Sequence, residues 1–434
     1  MRRRTFVALV VSAAAVGVIT VVGAAGVRAF MGREDPTAAT TAPPRAVSAP
    51  GFEPLAASAY EQESQDWDVP YLLPDGYIQT LVSDETTLDV YPGAPDLHDM
   101  NALNESGVDA GRYLYNTYEV ATHSVLGATD LRTGASKVIA DGADWGFDWR
   151  HLDGIRWTPW GTLLFDEETP GGHVYEAVLA DGDPSTIVDV RERPQVGALR
   201  HEGIDVGADG AVYVVDERDG GSIFRFVPDV PGDLSAGTLS ALRLTALDDA
   251  AQAWDPDAID RKVGAFEWVA LDRAAVASDA DAAANSVAAT EFGRPEDVEI
   301  IGETLYVANT SEDRVIAIDL AERTVSGFVE AGVNVPVEEE GVVTGLRFPD
   351  NLAEGPDGAL WIVEDNAFSD IYRAAPDRDG DGRADRVDLF GSLVDQGAES
   401  TGITFGTDPM VVYVSVQHPD KPLADGIWAI TPRR

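Results

Sequence analysis

The stretch GTLLFDEE, residues 161–168, decides the fold, because five similar apolar stretches that end in acidic or amide residues accompany it along the chain. The other five are GRYLYNTYE (111–119), GAVYVVDE (210–217), ETLYVANT (303–310), GALWIVEDN (358–366) and VVYVSVQH (411–418). Most successive strand ends are 48 to 55 residues apart, which is typical of propeller blades with four strands each. The sequence therefore predicts an all-β fold, a β-propeller with six blades.

One gap between strand ends is longer than the others. Asp216 and Asn309 are 93 residues apart, and the Ala- and Asp-rich stretch between them, residues 246–289, lacks a strand pattern. We expect a helical or loop insertion around residues 246–289 rather than a further blade.

A polar residue at the end of four strands is preceded at nearly constant distance by a carboxylate. The separations are 14, 14, 13 and 14 residues for the pairs Asp153 and Glu167, Glu202 and Asp216, Glu296 and Asn309, and Asp350 and Glu364. Each pair brackets one hairpin, so antiparallel pairing brings both members to the open end of that hairpin. Around a ring, these ends meet at one mouth of the central channel. We expect the following acids there: Asp153, Glu167, Glu202, Asp216, Glu296, Asp297, Asp350, Glu364 and Asp365.

The composition limits the partners and the metals. The net charge of −44, with 31 basic residues, argues against nucleic acid, which requires a basic face. No cysteine is present, so any metal must be held by oxygen ligands or by the six histidines, which favours hard cations such as calcium. Carboxylates crowded at one mouth would repel one another, and bound cations resolve that repulsion.

The amino terminus predicts export. Arg2, Arg3 and Arg4 precede an uncharged stretch, residues 7–27, in the manner of a twin-arginine signal. We expect a signal peptide or an uncleaved signal anchor at residues 1–29, a flexible linker at 30–66 and the propeller at 67–434. The folded part is then extracytoplasmic (secreted, periplasmic or at the cell surface), and an uncleaved anchor would be its only link to a membrane.

A second acidic motif follows the fifth repeated strand. In DRDGDGRADRVD, residues 377–388, acids stand at positions 1, 3, 5, 9 and 12 of a calcium loop, and glycine stands at position 6. The loop predicts a structural calcium site whose members are Asp377, Asp379, Asp381, Arg383 (through its carbonyl), Asp385 and Asp388. Aspartate in place of glutamate at position 12 weakens bidentate binding.

Several of these motifs together resemble those of one family, the PhoX-type alkaline phosphatases. They are Asn116 to Glu119, GTLLFDEE, RHEG (200–203), RPEDVEI (294–300), PDNLAEGPDG (349–358), VEDN (363–366) and VSVQHP (414–419). The resemblance extends over most of the chain from about Leu73 and implies an exported propeller enzyme that depends on calcium and iron.

The resemblance also implies roles for individual residues. Metal ligands would be Glu167, Glu202, Glu296, Asp350, Asn351 and Glu364, with Glu119, Asp166, Glu168 and Asp297 as further candidates. Arg347 and Arg294 would contact phosphate, since guanidinium groups bind phosphate oxygens well.

Two departures from the family pattern concern catalysis. Asp166 stands where the family has a cysteine that binds iron, and Asn116 to Glu119 lacks the family's histidine. Aspartate is a harder ligand than cysteine. A site for calcium alone, altered chemistry and lost catalysis are all open.

The function that the sequence predicts is hydrolysis of small phosphate monoesters at a calcium cluster, with iron as a second candidate metal, in a monomeric enzyme. One alternative is a calcium-dependent propeller lactonase. Another is a binding module without catalysis, in which the acids hold structural calcium.

Overall fold

The computed structural model describes residues 51–59, 67, 69–337, 345–366, 369–394, 397–408 and 410–433. All of them belong to one compact unit, Ala46–Arg434. The predicted signal segment lies outside the described residues, as do residues 30–50 and 60–66 of the predicted linker.

The fold is a six-bladed β-propeller, as predicted. The first three blades are listed here from the channel outward. Blade one contains strands His98–Leu103, Tyr113–Tyr118, Val125–Asp130 and Ala135–Asp141; blade two contains Leu152–Trp157, Leu163–Glu167, Val174–Ala180 and Asp183–Glu192; blade three contains Ile204–Val206, Val212–Val215, Ile223–Val230 and Asp233–Leu244.

The other three blades follow the same antiparallel order. Blade four contains Pro295–Ile301, Thr304–Asn309, Arg314–Asp319 and Thr324–Glu330; blade five contains Pro349–Glu354, Leu360–Glu364, Asp370–Ala374 and Val387–Leu393; blade six contains Glu399–Phe405, Val412–Gln417, Gly426–Pro432 and, on its outer edge, Tyr77–Asp84. The last blade therefore combines strands from both ends of the folded unit, which closes the ring.

The six innermost strands contact one another in sequence around the channel, and the strand of blade six contacts that of blade one. Six buried apolar clusters fill the spaces between neighbouring blades. Each blade thus buries one face against each neighbour, which makes every blade interface a small β-sandwich core.

The insertion is largely helical, as expected. It contains the helices Asp249–Gln252, Arg273–Val276 and Ala280–Ser286, a 3-10 helix Pro256–Arg261 and one strand, Gly264–Ala270. That strand pairs with the outer strands of blades three and four and joins them in one sheet.

The remaining elements are short. They are strand Tyr71–Leu72 on the edge of blade five, the paired strands Asp219–Gly221 and Phe292–Gly293, helix Gly142–Trp145, and 3-10 helices Pro194–Val196 and Thr310–Glu312. No helix within the described ranges combines the length and apolar character that a bilayer crossing needs.

The folded unit begins before Trp67, the boundary that the sequence predicted. The ring of Phe52 packs edge-on against Phe390, with centroids 5.0 Å apart, and the amide of Leu55 donates to the carbonyl of Leu389 at 2.9 Å. Residues 51–59 therefore pack against blade five, because aromatic burial fixes a segment whose composition resembles a linker.

Candidate metal centre

One main-chain hydrogen bond recurs at the same end of five blades. In each, the residue just after the second strand donates its N–H to the carbonyl of a residue just before the innermost strand. The pairs are Glu119 and Leu97 (3.0 Å), Glu168 and His151 (2.8 Å), Glu217 and Arg200 (2.8 Å), Thr310 and Arg294 (2.9 Å), and Asp365 and Phe348 (2.9 Å). The open ends of these hairpins therefore share one geometry, and they form the mouth of the channel.

The chain turns sharply where it enters four of the innermost strands. The residues there adopt positive φ: Leu97 (52°), His151 (44°), Arg294 (45°) and Phe348 (53°). The strand pairing is then interrupted by a register shift just beyond an acid, at Asp99, Asp153, Glu296 and Asp350. A β-bulge of this kind re-aims the local side chains, and it accompanies the delivery of one carboxylate per blade to the channel.

Carboxylates dominate the cavity at the mouth. Its volume is about 170 Å³, and nine acids line it: Asp99, Glu119, Asp153, Glu168, Glu202, Glu296, Asp350, Asp365 and Glu399. Arg294 is the cation among the lining residues of the described chain, and Thr401 and Gln417 complete the wall. Such an excess of acids in a small space is unfavourable without bound protons or cations.

The acidities show this cost. Burial, and then the charges of neighbouring carboxylates, raise the pKa values of Asp153, Glu202, Glu296 and Asp350 well above the ordinary range. Burial likewise raises the pKa of Asp99 to about 7. In the absence of a metal, part of this ring therefore stays protonated at neutral pH.

Three overlapping groups of side chains can each converge on a cation. Within each group, one ligand atom per residue lies within 4.8 Å of the others: Glu119, His151 and Glu168; Asp153, Glu168 and Glu202; and Glu202, Glu296 and Asp350. Glu168 and Glu202 each belong to two groups. Bridging carboxylates of this kind suit a cluster of cations rather than one isolated ion.

The buried carboxylate of Glu217 holds two arginines beside the cavity. Its side chain is fully buried and pairs with Arg200 at 2.5 Å and with Arg294. Arg294 also lies 3.0 Å from Glu296 and 3.5 Å from Asp365. These contacts fix the Arg294 guanidinium at the edge of the carboxylate ring.

The two members of each 14-residue pair are placed differently. The first members, Asp153, Glu202, Glu296 and Asp350, line the cavity. The second members Glu167, Asp216 and Glu364 instead accept the main-chain N–H groups of Arg150 (3.0 Å), Arg200 (3.0 Å) and Arg347 (2.7 Å). These three acids therefore fasten the hairpin ends, and their placement does not favour a ligand role, which stays a prediction for Glu167 and Glu364.

Asp297 and Asn351 join neighbouring blades. Asp297 accepts the N–H of Leu352 at 2.8 Å, and Asn351 accepts the Thr401 hydroxyl at 2.6 Å and the Gly402 N–H at 2.5 Å. Both lie one residue beyond a cavity carboxylate, and neither lines the cavity. Their predicted ligand roles also stay predictions.

Asp166, which replaces the family cysteine, lies completely buried, and neither of its carboxylate oxygens meets a hydrogen-bond partner among the described residues. Burial raises its pKa well above the ordinary range. It contributes no atom to the three convergent groups. A Cβ on Gly154 would lie 2.8 Å from its Oδ1, so Asp166 requires glycine at that position.

The two predicted phosphate-binding arginines are not equivalent. Arg294 lines the cavity, whereas the guanidinium of Arg347 lies over the Phe348 ring at 4.5 Å and outside the cavity lining. The structure brings Glu119, Glu168, Glu202, Glu296, Asp350 and Arg294 together from the predicted set.

The sequence analysis missed Asp99, Glu399, Thr401 and Gln417 in the cavity wall. Asp99 escaped because the hairpin of blade one has a longer loop, so that His98 pairs with Tyr118, 20 residues later. Blade six supplies Thr401 where other blades supply an acid, so the acidic pattern is absent there. The stretch that ends in Gln417 and His418 was the available indication.

The predicted calcium loop brings together three of its acids, Asp377, Asp379 and Asp385, with ligand atoms within 4.8 Å of one another. Asp388 does not join them, because strand Val387–Leu393 directs it to Arg386, whose Nε lies 2.7 Å from its carboxylate. Asp381 accepts the N–H of Arg383 at 2.9 Å. The loop therefore lacks the position-12 ligand, and calcium binding there stays a prediction.

The fold and the site define a propeller with an acidic, arginine-edged cavity at one end of its channel. The family model of alkaline phosphatase PhoX matches residues 181–420, more than half of the chain. The protein belongs to this family of phosphoric ester hydrolases.

The solved structures agree with this fold. PhoX of Pseudomonas fluorescens, determined in complex with vanadate as a transition-state analogue, is 18% identical over 88% of this chain and 97% of its own, with a TM-score of 0.61. A gluconolactonase from Xanthomonas campestris is 11% identical over 88% of this chain and 96% of its own, with a TM-score of 0.44. No curated protein sequence matched the chain.

Proposed function

We propose that the protein is an exported phosphomonoesterase whose carboxylate cavity binds a cluster of hard cations, with calcium as the principal metal and iron as a second. The convergence of Glu168 and Glu202, each on two groups of ligand atoms, carries the proposal. Family membership supplies the reaction class, and the cavity supplies the place.

The residues fit such cations. Asp153 Oδ1 is buried and has no hydrogen-bond partner among the described residues, as expected for an atom reserved for a metal. The convergent atoms are carboxylate oxygens with a single imidazole, His151, which is the donor set that calcium and ferric iron prefer. Cations would also relieve the repulsion among nine acids.

The chain's own residues then have separate tasks. Bound cations would neutralise phosphoryl oxygens and lower the pKa of water. Arg294, held by Glu217, would contact a phosphoryl oxygen from the side of Asp365. In hydrolysis, the oxygen of water bonds to phosphorus, the ester P–O bond breaks, and the leaving alcohol takes a proton.

The remaining features of the proposal come from the sequence and the family. Export rests on the amino-terminal arginines and apolar stretch, and the family's enzymes are exported. We also propose that the three acids of the 377–388 loop hold a structural calcium ion and that the enzyme acts as a monomer on small phosphate esters.

Hydrolysis of phenyl phosphate by the purified protein, with calcium and iron supplied, tests this function. The double variant Glu202→Gln, Glu296→Gln should lose about 100-fold or more of the rate, because both residues contribute ligand atoms. Glu354→Gln is the matched control, since Glu354 lies at the exposed far end of an innermost strand.

Two results would contradict the proposal. Hydrolysis of lactones but not of phosphate esters would identify a lactonase. Stabilisation by calcium without turnover of either substrate would identify a binding module.

A further inference from the structure

A groove of about 460 Å³ lies between the loops of blades two and three and the helical insertion. We call it the insertion groove. Its walls combine apolar surface from Pro170 and Leu199 with the side chains of Arg200, Asp216, Arg218 and Asp281. The groove is separate from the carboxylate cavity, and nothing in the hydrolysis described above uses it.

Arg200 connects the groove to the cavity. The same guanidinium that lines the groove pairs with Glu168, which lines the cavity, and with the buried Glu217 at 2.5 Å. The groove therefore begins beside the cavity wall. A phosphate ester bound in the cavity can extend its leaving group past Arg200 into the groove.

Asp216 presents an unused acceptor to the groove. The residue is only 2% exposed, and its Oδ1 accepts the Arg200 N–H at 3.0 Å. Its Oδ2 is buried and has no hydrogen-bond partner among the described residues. A buried carboxylate oxygen left in this state is costly, so a ligand that donates to it gains that energy.

A donor lies close to this acceptor. Arg218 Nε is 3.9 Å from Asp216 Oδ2, too far for a direct hydrogen bond. A hydroxyl oxygen between them can lie at about 2.8 Å from each, because a hydroxyl both donates and accepts. An ammonium group could satisfy only the carboxylate, and two guanidinium groups would repel it.

The insertion fixes the donor. Arg218 Nη1 pairs with Asp281 at 2.9 Å, and Asp281 lies in helix Ala280–Ser286 of the insertion. The insertion thus holds the arginine in reach of Asp216. Its second tether, the pair of Arg273 and Asp229 at 2.7 Å, lies outside the groove lining.

We propose that the insertion groove binds the leaving group of the phosphate ester and selects a polyol or sugar, whose hydroxyl bridges Arg218 and Asp216. This inference rests on the proposed phosphomonoesterase function and names its substrate class. Apolar contact with Pro170 and Leu199 accommodates the carbon chain of the polyol.

The test compares two substrates with six-carbon leaving groups, sorbitol 6-phosphate and n-hexyl phosphate, which differ in hydroxyl content. We expect wild-type kcat/KM to favour the sorbitol ester. The ratio of the two kcat/KM values should fall about tenfold in Arg218→Gln and in Asp216→Asn, as for loss of one hydrogen bond, mainly through KM for the sorbitol ester. Arg273→Gln, which breaks the other tether, should keep the wild-type ratio.

Melting curves show whether each variant is folded, and the half-exposed Arg218 serves if Asp216→Asn fails to fold. Turnover of both esters with the same ratio in wild type and Arg218→Gln would overturn the inference and leave the proposed function intact. Absence of turnover on both esters in the metal-supplied wild type would overturn the proposed function and the inference with it.

Discussion

The main-chain N–H of Gly203 donates to the carbonyl of Glu296 across the boundary between blades three and four, with an N···O distance of 2.8 Å. Blade three thereby approaches blade four so closely that a Cβ on Gly203 would lie 1.8 Å from Asp297 Oδ1 and 2.5 Å from its Cα. This contact sets the spacing of Glu202 and Glu296, which converge in one group of ligand atoms.

Gly203→Ala should therefore damage both the fold and the site. The new methyl group meets main chain, so the blades must separate, and overpacking of this kind costs about 1–3 kcal/mol. We expect a lower melting temperature and a clear loss of phenyl phosphate hydrolysis. Gly210→Ala in the neighbouring turn is the control for glycine replacement at positive φ, since nothing lies within 4 Å of its added Cβ. Wild-type activity in Gly203→Ala would contradict the role given to this contact.

Adjacent glutamates in blade two should respond differently to the same change. Glu168→Gln removes a residue shared by two groups of ligand atoms, and we expect a rate loss of about 10–100-fold with reduced metal content. Glu167→Gln weakens the acceptor of the Arg150 amide, and we expect mainly a loss of stability of about 1 kcal/mol. Rate assays, elemental analysis and melting curves on both variants measure the difference. Equal metal loss in the two variants would show that Glu167 is also a ligand.

The metal-free protein should lose stability as the pH rises from 5 to 9. Burial raises the pKa of Asp99 to about 7 and that of Glu399 to about 9, whereas unfolded carboxyls titrate near 4. The folded state therefore binds more protons than the unfolded state across this window, so the free energy of unfolding falls as these protons leave.

Calcium should reverse this trend, because metal ligands must be deprotonated to bind. At 100 times its Kd, each bound ion adds about 2.7 kcal/mol to the free energy of unfolding. Melting temperatures in EDTA and in calcium at pH 5, 7 and 9 measure both effects. A melting temperature in EDTA that rises between pH 5 and 9 would contradict the excess of buried acids.

Asp166→Asn should stabilise the metal-free protein. The substitution removes a buried carboxylate without hydrogen-bond partners, and we expect a gain of about 1–3 kcal/mol in EDTA at pH 8. Metal content should stay at the wild-type value, since Asp166 lies outside the three groups of ligand atoms. Loss of one metal per chain would instead show that Asp166 binds metal in place of the family cysteine.

The sequence predicted much of the fold because each blade repeats an apolar strand with a polar end, and the ring of first-member acids followed from hairpin geometry. It could not separate Glu167 from Glu168, since successive strand residues face opposite sides and a bulge shifts that alternation. The register shift between Leu152 and Ile155 is such a bulge, and it leaves no mark in the residue pattern. Asp99 was hidden for a different reason, the long loop of its hairpin.

Elemental analysis of the purified, folded protein tests the central claim most directly. The cavity has three groups of convergent ligand atoms that share Glu168 and Glu202, so we predict at least two tightly held metal ions per wild-type chain. Glu202→Gln should hold fewer, and Glu354→Gln should match the wild type. Wild-type protein with no metal beyond the 377–388 loop, or Glu202→Gln with undiminished metal, would contradict a metal cluster at the propeller mouth.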